Sequence, residues 1–173
     1  MDYREHLRQP LYKRFVDILA VEIYQNPHDF DIVYRLIFDE DAAVAWRAAW
    51  ACQKISEKHP EWFSDSHFEE LSALALTTSH GGLLRGCLCV INNIALPEHL
   101  SVEMINACFE WMISPKSPIA VQALSMKILL RICRKEPEFK QEVSAVLDNL
   151  DFENYSAGFK SVRKNVLKAL NGK

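Results

Sequence analysis

The feature that most restricts what this chain can fold into is a period. Helix-capping residues open apolar runs at Asp41 ("DAAV"), Ser79 ("SHGG"), Ser117 ("SPIA") and Ser156 ("SAGF"), with steps of 38, 38 and 39. Pro-Glu pairs close such runs in "HPEW" at Pro60, "LPEH" at Pro97 and "EPEF" at Pro137, 37 and 40 residues apart. Asp and Ser accept hydrogen bonds from the free N–H groups of a helix's first turn, and Pro cannot continue a helix. Each repeat therefore starts and stops in register.

Between each Pro-Glu pair and the next cap lies a second helical pattern. Phe68, Leu71 and Leu74 to Leu76 recur in "SHFEELSALAL", and Met104, Ile105, Cys108, Phe109 and Met112 in "SVEMINACFEWMI", at three-to-four spacing. A third pattern runs through "PEFKQEVSAVLDNL". Two helices per period predict an all-α fold, an α-α superhelix whose hairpins bury their apolar faces only by stacking on their neighbours. Helices are expected near 2–8, 11–25, 28–39, 42–58, 66–77, 80–95, 101–113, 118–135, 138–149 and 156–170. The units are 28–62, 63–99, 100–136 and 137–173, with 1–27 as an N-terminal capping helix pair.

At 173 residues the chain is expected to form a single domain over 1–173. Its 49% hydrophobic and 25% charged residues are those of a globular protein. The charged start "MDYREHLRQP" and the lack of a long apolar run predict a soluble protein of the cytoplasm. Five cysteines, Cys52, Cys87, Cys89, Cys108 and Cys133, form no C-x-x-C pair and sit in apolar helical patterns, which predicts buried free thiols. Net charge is −3 but unevenly placed: 10 basic and 17 acidic groups lie in 1–116, against 10 and 6 in 117–173. Such polarity suits an acidic partner at the C-terminal end.

Val44, Ala48, Ala51 and Ile55 share one stripe of the helix over 42–58, which leaves Arg47, Trp50 and Lys54 on another. Projecting that second stripe by one period reaches Arg85, Leu88 and Asn92, then Lys127, Arg131 and Arg134, then Arg163 and Lys168. In a stack these helices line the concave face, as a groove on the order of 40 Å long and basic toward its C-terminal end. Trp46 is expected in the core.

The stretch "DAAVAWRAAWACQKI" resembles the second helix of HEAT repeats. Asp41, Trp46 and Arg47 occupy that pattern's Asp, apolar and Arg places. The next unit keeps Leu84 and Arg85 with Ser79 in place of Asp, and the one after has Gln122 and Ala123. The resemblance implies a HEAT-like solenoid of about four hairpins, with Asp41 and Arg47 pairing between units. It also implies a non-enzymatic scaffold that binds a protein or peptide segment in its concave groove. A narrower resemblance, through "RAAWACQKISEKHPEW", is to the HEAT-like DNA alkylation repair glycosylases. It implies a nucleic-acid-binding alternative in which Trp50 and Arg47 flank an extruded nucleotide, and a glycosylase-like reaction if the chain is an enzyme at all.

The six histidines, His6, His28, His59, His67, His80 and His99, form no H-E-x-x-H and no close Cys/His spacing, so no metal ligand set is expected. Most lie near helix ends, where capping or surface roles are expected. Gly81 and Gly82 follow no strand and read as a tight helix start or a close-packing contact, not a phosphate loop. No nucleophile with an adjacent base stands out. Neither a catalytic residue nor a cofactor is expected, and no membrane partner.

Overall fold

The computed structural model describes residues 1–9 and 13–172. Among the described residues it contains ten α-helices and no strand: α1 Tyr3–Arg8, α2 Lys13–Gln25, α3 Phe30–Arg35, α4 Ala42–Lys58, α5 Asp65–Thr77, α6 Gly81–Asn93, α7 Val102–Ile113, α8 Ile119–Lys135, α9 Phe139–Asn149 and α10 Ala157–Leu170. The start of the helix expected over 11–25 lies, at positions 11 and 12, outside the described residues. The helix expected over 28–39 is instead three pieces, with 3-10 turns at Pro27–Asp29 and Leu36–Phe38 on either side of α3. Bonds of the i to i+3 kind, such as Asp39 N–H to Leu36 carbonyl at 3.2 Å, tighten both ends. The other helix ends fall within two residues of expectation.

Local chemistry accounts for the helix starts. Asp41 caps α4 by accepting from Ala43 N–H at 2.9 Å, and Ser156 caps α10 by accepting from Phe159 N–H at 3.1 Å. Ser101 does the same for α7 with Met104 N–H at 3.1 Å. At α5 the bond runs the other way in a capping box, with Ser64 N–H donating to His67 Nδ1 at 2.8 Å. Two expected caps are corrected. α6 is capped not by Ser79 but by His80, whose ring Nδ1 accepts from Leu83 N–H at 3.1 Å. α8 is capped not by Ser117 but preceded directly by Pro118, which makes no side-chain cap bond. There the Gln122 amide reaches back to the Ser114 carbonyl at 2.7 Å.

The chain divides into two compact units, Met1–Ala95 and Leu96–Lys173. In the first, α4 is the central element: α1, α2, α3 and α6 all pack on it, and α5 packs on α6. Val44, Ala48, Ala51 and Ile55 are fully buried as expected, and Val16, Leu19, Ala20 and Ile23 of α2 meet them from one side. Alanines at 48, 49 and 51 keep α4 thin enough for neighbours on both flanks. In α5, Ala75 rather than Leu74 or Leu76 takes the inward place, and Leu76 is 40% exposed.

In the second unit α7, α9 and α10 pack on α8, and α9 also packs on α10. Val121, Ile128, Leu129 and Ile132 of α8 face Met104, Cys108 and Met112 of α7, Val143 and Leu147 of α9, and Phe159, Val166 and Leu170 of α10, all buried. Cys52, Cys87, Cys108 and Cys133 are buried free thiols, and Cys89 is half-buried. Burial pushes Cys87 and Cys108 up to about 12, so they are inert protonated packing groups.

Candidate functional site

The solvent side of α4 carries an aromatic pair. Trp46 and Trp50 are one helical turn apart, and their rings stack at 5.9 Å between centroids and 14° between planes. The His80 ring extends the row, lying 6.4 Å and 17° from Trp46. Gly82 leaves room for it: a Cβ there would sit 3.0 Å from His80 Cε1 and 3.8 Å from Trp46. Both tryptophans are half-buried. Trp46 is therefore not the core residue expected of it, because Val44 and Ala45 already fill the inward positions beside it.

Arg47 is positioned by a different part of the chain. Its Nη1 donates to the carbonyls of Leu7 at 2.8 Å, Arg8 at 3.0 Å and Gln9 at 2.9 Å, the end of α1. Carbonyls at a helix C-terminus have no intrahelical partner and carry partial negative charge, so a guanidinium is a natural counterpart. The expected pairing of Arg47 with Asp41 does not form. Asp41 caps α4 and lies 3.5 Å from Arg8 Nε. Arg47 also sits 5.6 Å from the Trp46 ring centroid.

Further along the same side of α4, Lys54 pairs with Glu57 at 3.4 Å. The Tyr24 hydroxyl donates to the Lys54 carbonyl at 2.9 Å, and Lys58 lies 4.9 Å from the Tyr24 ring centroid. Burial, then the nearby Glu57 and Asp17 carboxylates, raise the Tyr24 phenol above its ordinary value, so it stays a donor. These side chains and Asp17, Ala20 and Val21 line a groove of about 260 Å³ between α2 and α4. A second depression of about 280 Å³ shares Asp17 and Val21 and adds Ile18 and Glu22. Ile18 is 50% and Val21 48% exposed, an apolar ridge on the outer face of α2.

This α2 ridge is a part of the surface that stripe projection from α4 does not reach. A signal for it exists in "RFVDILAVEIY", which is apolar on both faces of a helix where one buried face would suffice.

Of the other residues projected onto the groove, Arg85 is exposed and Asn92 half-buried, but Leu88 is fully buried and faces the core. The physical reason is register. By burial, Leu83 of α6 matches Val44 of α4, one position beyond the match implied by cap spacing, and one residue turns a helix side chain by about 100°. On α8, Lys127 and Arg134 are exposed and Arg131 is half-buried; burial and then the charge of Arg134 lower the Arg131 guanidinium from its usual range. On α10, Lys168 is exposed, but Arg163 is taken up by the fold. Its Nε donates to the Leu147 carbonyl at 2.7 Å, its Nη2 lies 3.9 Å from Asp148, and its guanidinium covers the Phe152 ring at 4.0 Å. The structure thus gathers Arg47, Trp50 and Lys54 in the first unit and Lys127, Arg131 and Arg134 in the second.

Among the described residues no cluster of three or more His, Cys, Asp or Glu side chains is arranged to hold a metal ion. Nor, among the described residues, is any helix long and apolar enough to cross a membrane. A family model described as a HEAT repeat domain matches residues 3–170. No curated protein and no solved structure matches the chain significantly.

Proposed function

The chain belongs to the HEAT repeat domain family, and from that premise we propose that it is a non-enzymatic scaffold that binds a protein or peptide segment along the solvent side of α4. The observation that carries this reading is the Trp46–Trp50 stack, on the same helix as the Lys54, Glu57 and Lys58 side chains that line the α2–α4 groove. Tryptophan supplies a large, rigid apolar face at little entropic cost, and energetically dominant contacts in protein interfaces are rich in it. The groove beside it accepts one apolar side chain between Ala20, Val21 and Tyr24. The Lys54–Glu57 pair on its rim selects orientation more than it adds affinity.

A nucleotide held between Trp50 and Arg47, as the narrower resemblance implies, would require the guanidinium to leave three carbonyls. That favours the peptide reading.

Selection of binders from a displayed peptide library, followed by titration against Trp50→Ala and Val21→Asp, tests the proposal. Selected peptides are expected to lose most of their affinity for both variants while the variants keep the helical circular dichroism of the parent. Peptides that bind Trp50→Ala as well as the parent would overturn the assignment. So would tight binding of single-stranded or duplex DNA that weakens steeply with salt.

A further inference from the structure

The second unit separates its charges by layer. α7 carries Glu103 and Glu110 and no cation. α8 and α10, packed against each other, contain no acidic side chain along their full lengths. Their cations fall into two groups. Lys135 donates to the carbonyls of Pro97 and Glu98, Lys160 to that of Glu153 and Arg163 to that of Leu147, so these three hold loops and helix ends in place. Four others are exposed. Lys127 and Arg134 are exposed on one side of α8 with half-buried Arg131 between them at helical spacing, and Lys164 and Lys168 are exposed one turn apart on α10.

We propose that this α8–α10 face is a second docking surface, one that takes an acidic segment of a partner protein. Its occupant follows from charge complementarity. Four exposed cations on two adjacent helices, with no carboxylate on either, make a field that an Asp- or Glu-rich chain neutralises. Lys127 to Arg134 spans about 10 Å along the helix axis, the reach of about three extended residues, so carboxylates at every second or third position match the stripe. Nucleic acid is the poorer fit. α8 has no aromatic residue and the one ring on α10, Phe159, is fully buried, so bases find no stacking platform. The chain as a whole is also net negative, at −3.

The test uses the full chain and three labelled probes of equal length: an alternating Glu-Ser peptide, an alternating Lys-Ser peptide and single-stranded DNA. The Glu-Ser peptide is expected to bind at low salt and the Lys-Ser peptide not to bind. Lys127→Glu combined with Arg134→Glu is expected to weaken Glu-Ser binding about tenfold or more, since reversing a charge removes an attraction and adds a repulsion. Lys116→Glu combined with Lys140→Glu changes net charge equally but lies off the two helices, and is expected to leave affinity within about twofold. Equal losses in the two double variants would reduce the effect to net charge and overturn the proposal. DNA binding tighter than the Glu-Ser peptide would assign the surface to nucleic acid instead. Trp50→Ala is expected to leave Glu-Ser binding unchanged, so failure of the α4 reading and failure of this one are read separately.

Discussion

Gly86 of α6 meets Ala49 of α4 so closely that a Cβ built on the glycine would lie 2.7 Å from the alanine Cβ. The two helices pack at a separation only a missing side chain permits. Gly86→Ala is therefore expected to destabilise the first unit by about 1–3 kcal/mol, the usual cost of overpacking, even though alanine is the better helix former. Ala49→Gly in the same chain is expected to restore part of the loss. Denaturant midpoints of the two single variants and the double variant check this, and simple additivity would show that the contact is not the cause.

Arg47 ties the end of α1 to α4 through three carbonyls. Arg47→Ala is expected to cost about 1–3 kcal/mol, the range for a partner lost from a charged hydrogen bond. Amide exchange is expected to quicken first in α1. A variant with unchanged exchange in Tyr3–Arg8 but no peptide binding would return Arg47 to the binding surface.

His67 gives the first unit a dependence on pH. Its Nδ1 accepts from Ser64 N–H, and its ring lies 4.3 Å edge-on from Tyr34, a setting that suits neutral imidazole. Burial lowers its pKa, against the opposing pull of Glu70. The unfolded chain then binds the proton more readily than the folded one. The contribution is fully present above the ordinary value of about 6.5 and is lost as pH falls through the lower folded value. Melting temperature is expected to fall between about pH 7 and pH 5. His67→Gln, which keeps an acceptor for the capping box, is expected to flatten that slope. Parallel slopes in parent and variant would point to a different group.

Phe159 is fully buried where α10 packs on α8. Phe159→Ala is expected to cost about 3–5 kcal/mol, measured by urea unfolding. Exposed Lys164 on the same helix is expected to tolerate Ala within about 0.5 kcal/mol. Similar losses at both positions would mean that α10 is held by something other than its apolar stripe.

How much of this was legible beforehand depends on how far each interaction reaches along the chain. Asp41 and Ser156 cap the helices they precede, and Val44, Ala48, Ala51 and Ile55 point inward as their spacing requires, because caps and helical periodicity act within a turn or two. The 38-residue rhythm and the all-α fold class follow from such local signals, and the HEAT resemblance rests on Asp41, Trp46 and Arg47. Tertiary structure decided the rest. Whether Leu88 or its neighbour faces out depends on a one-residue rotation that cap spacing cannot resolve, and packing against Ala49 sets it. His80 rather than Ser79 caps α6 while its ring lies against Trp46, a partner more than thirty positions earlier in the chain. Arg47 and Arg163 look alike in sequence to the outward-facing Lys127 and Lys168. Each is withdrawn from the surface by carbonyls that only folding brings within reach, because a guanidinium goes to the strongest acceptors nearby in space, and the sequence orders residues only along a line.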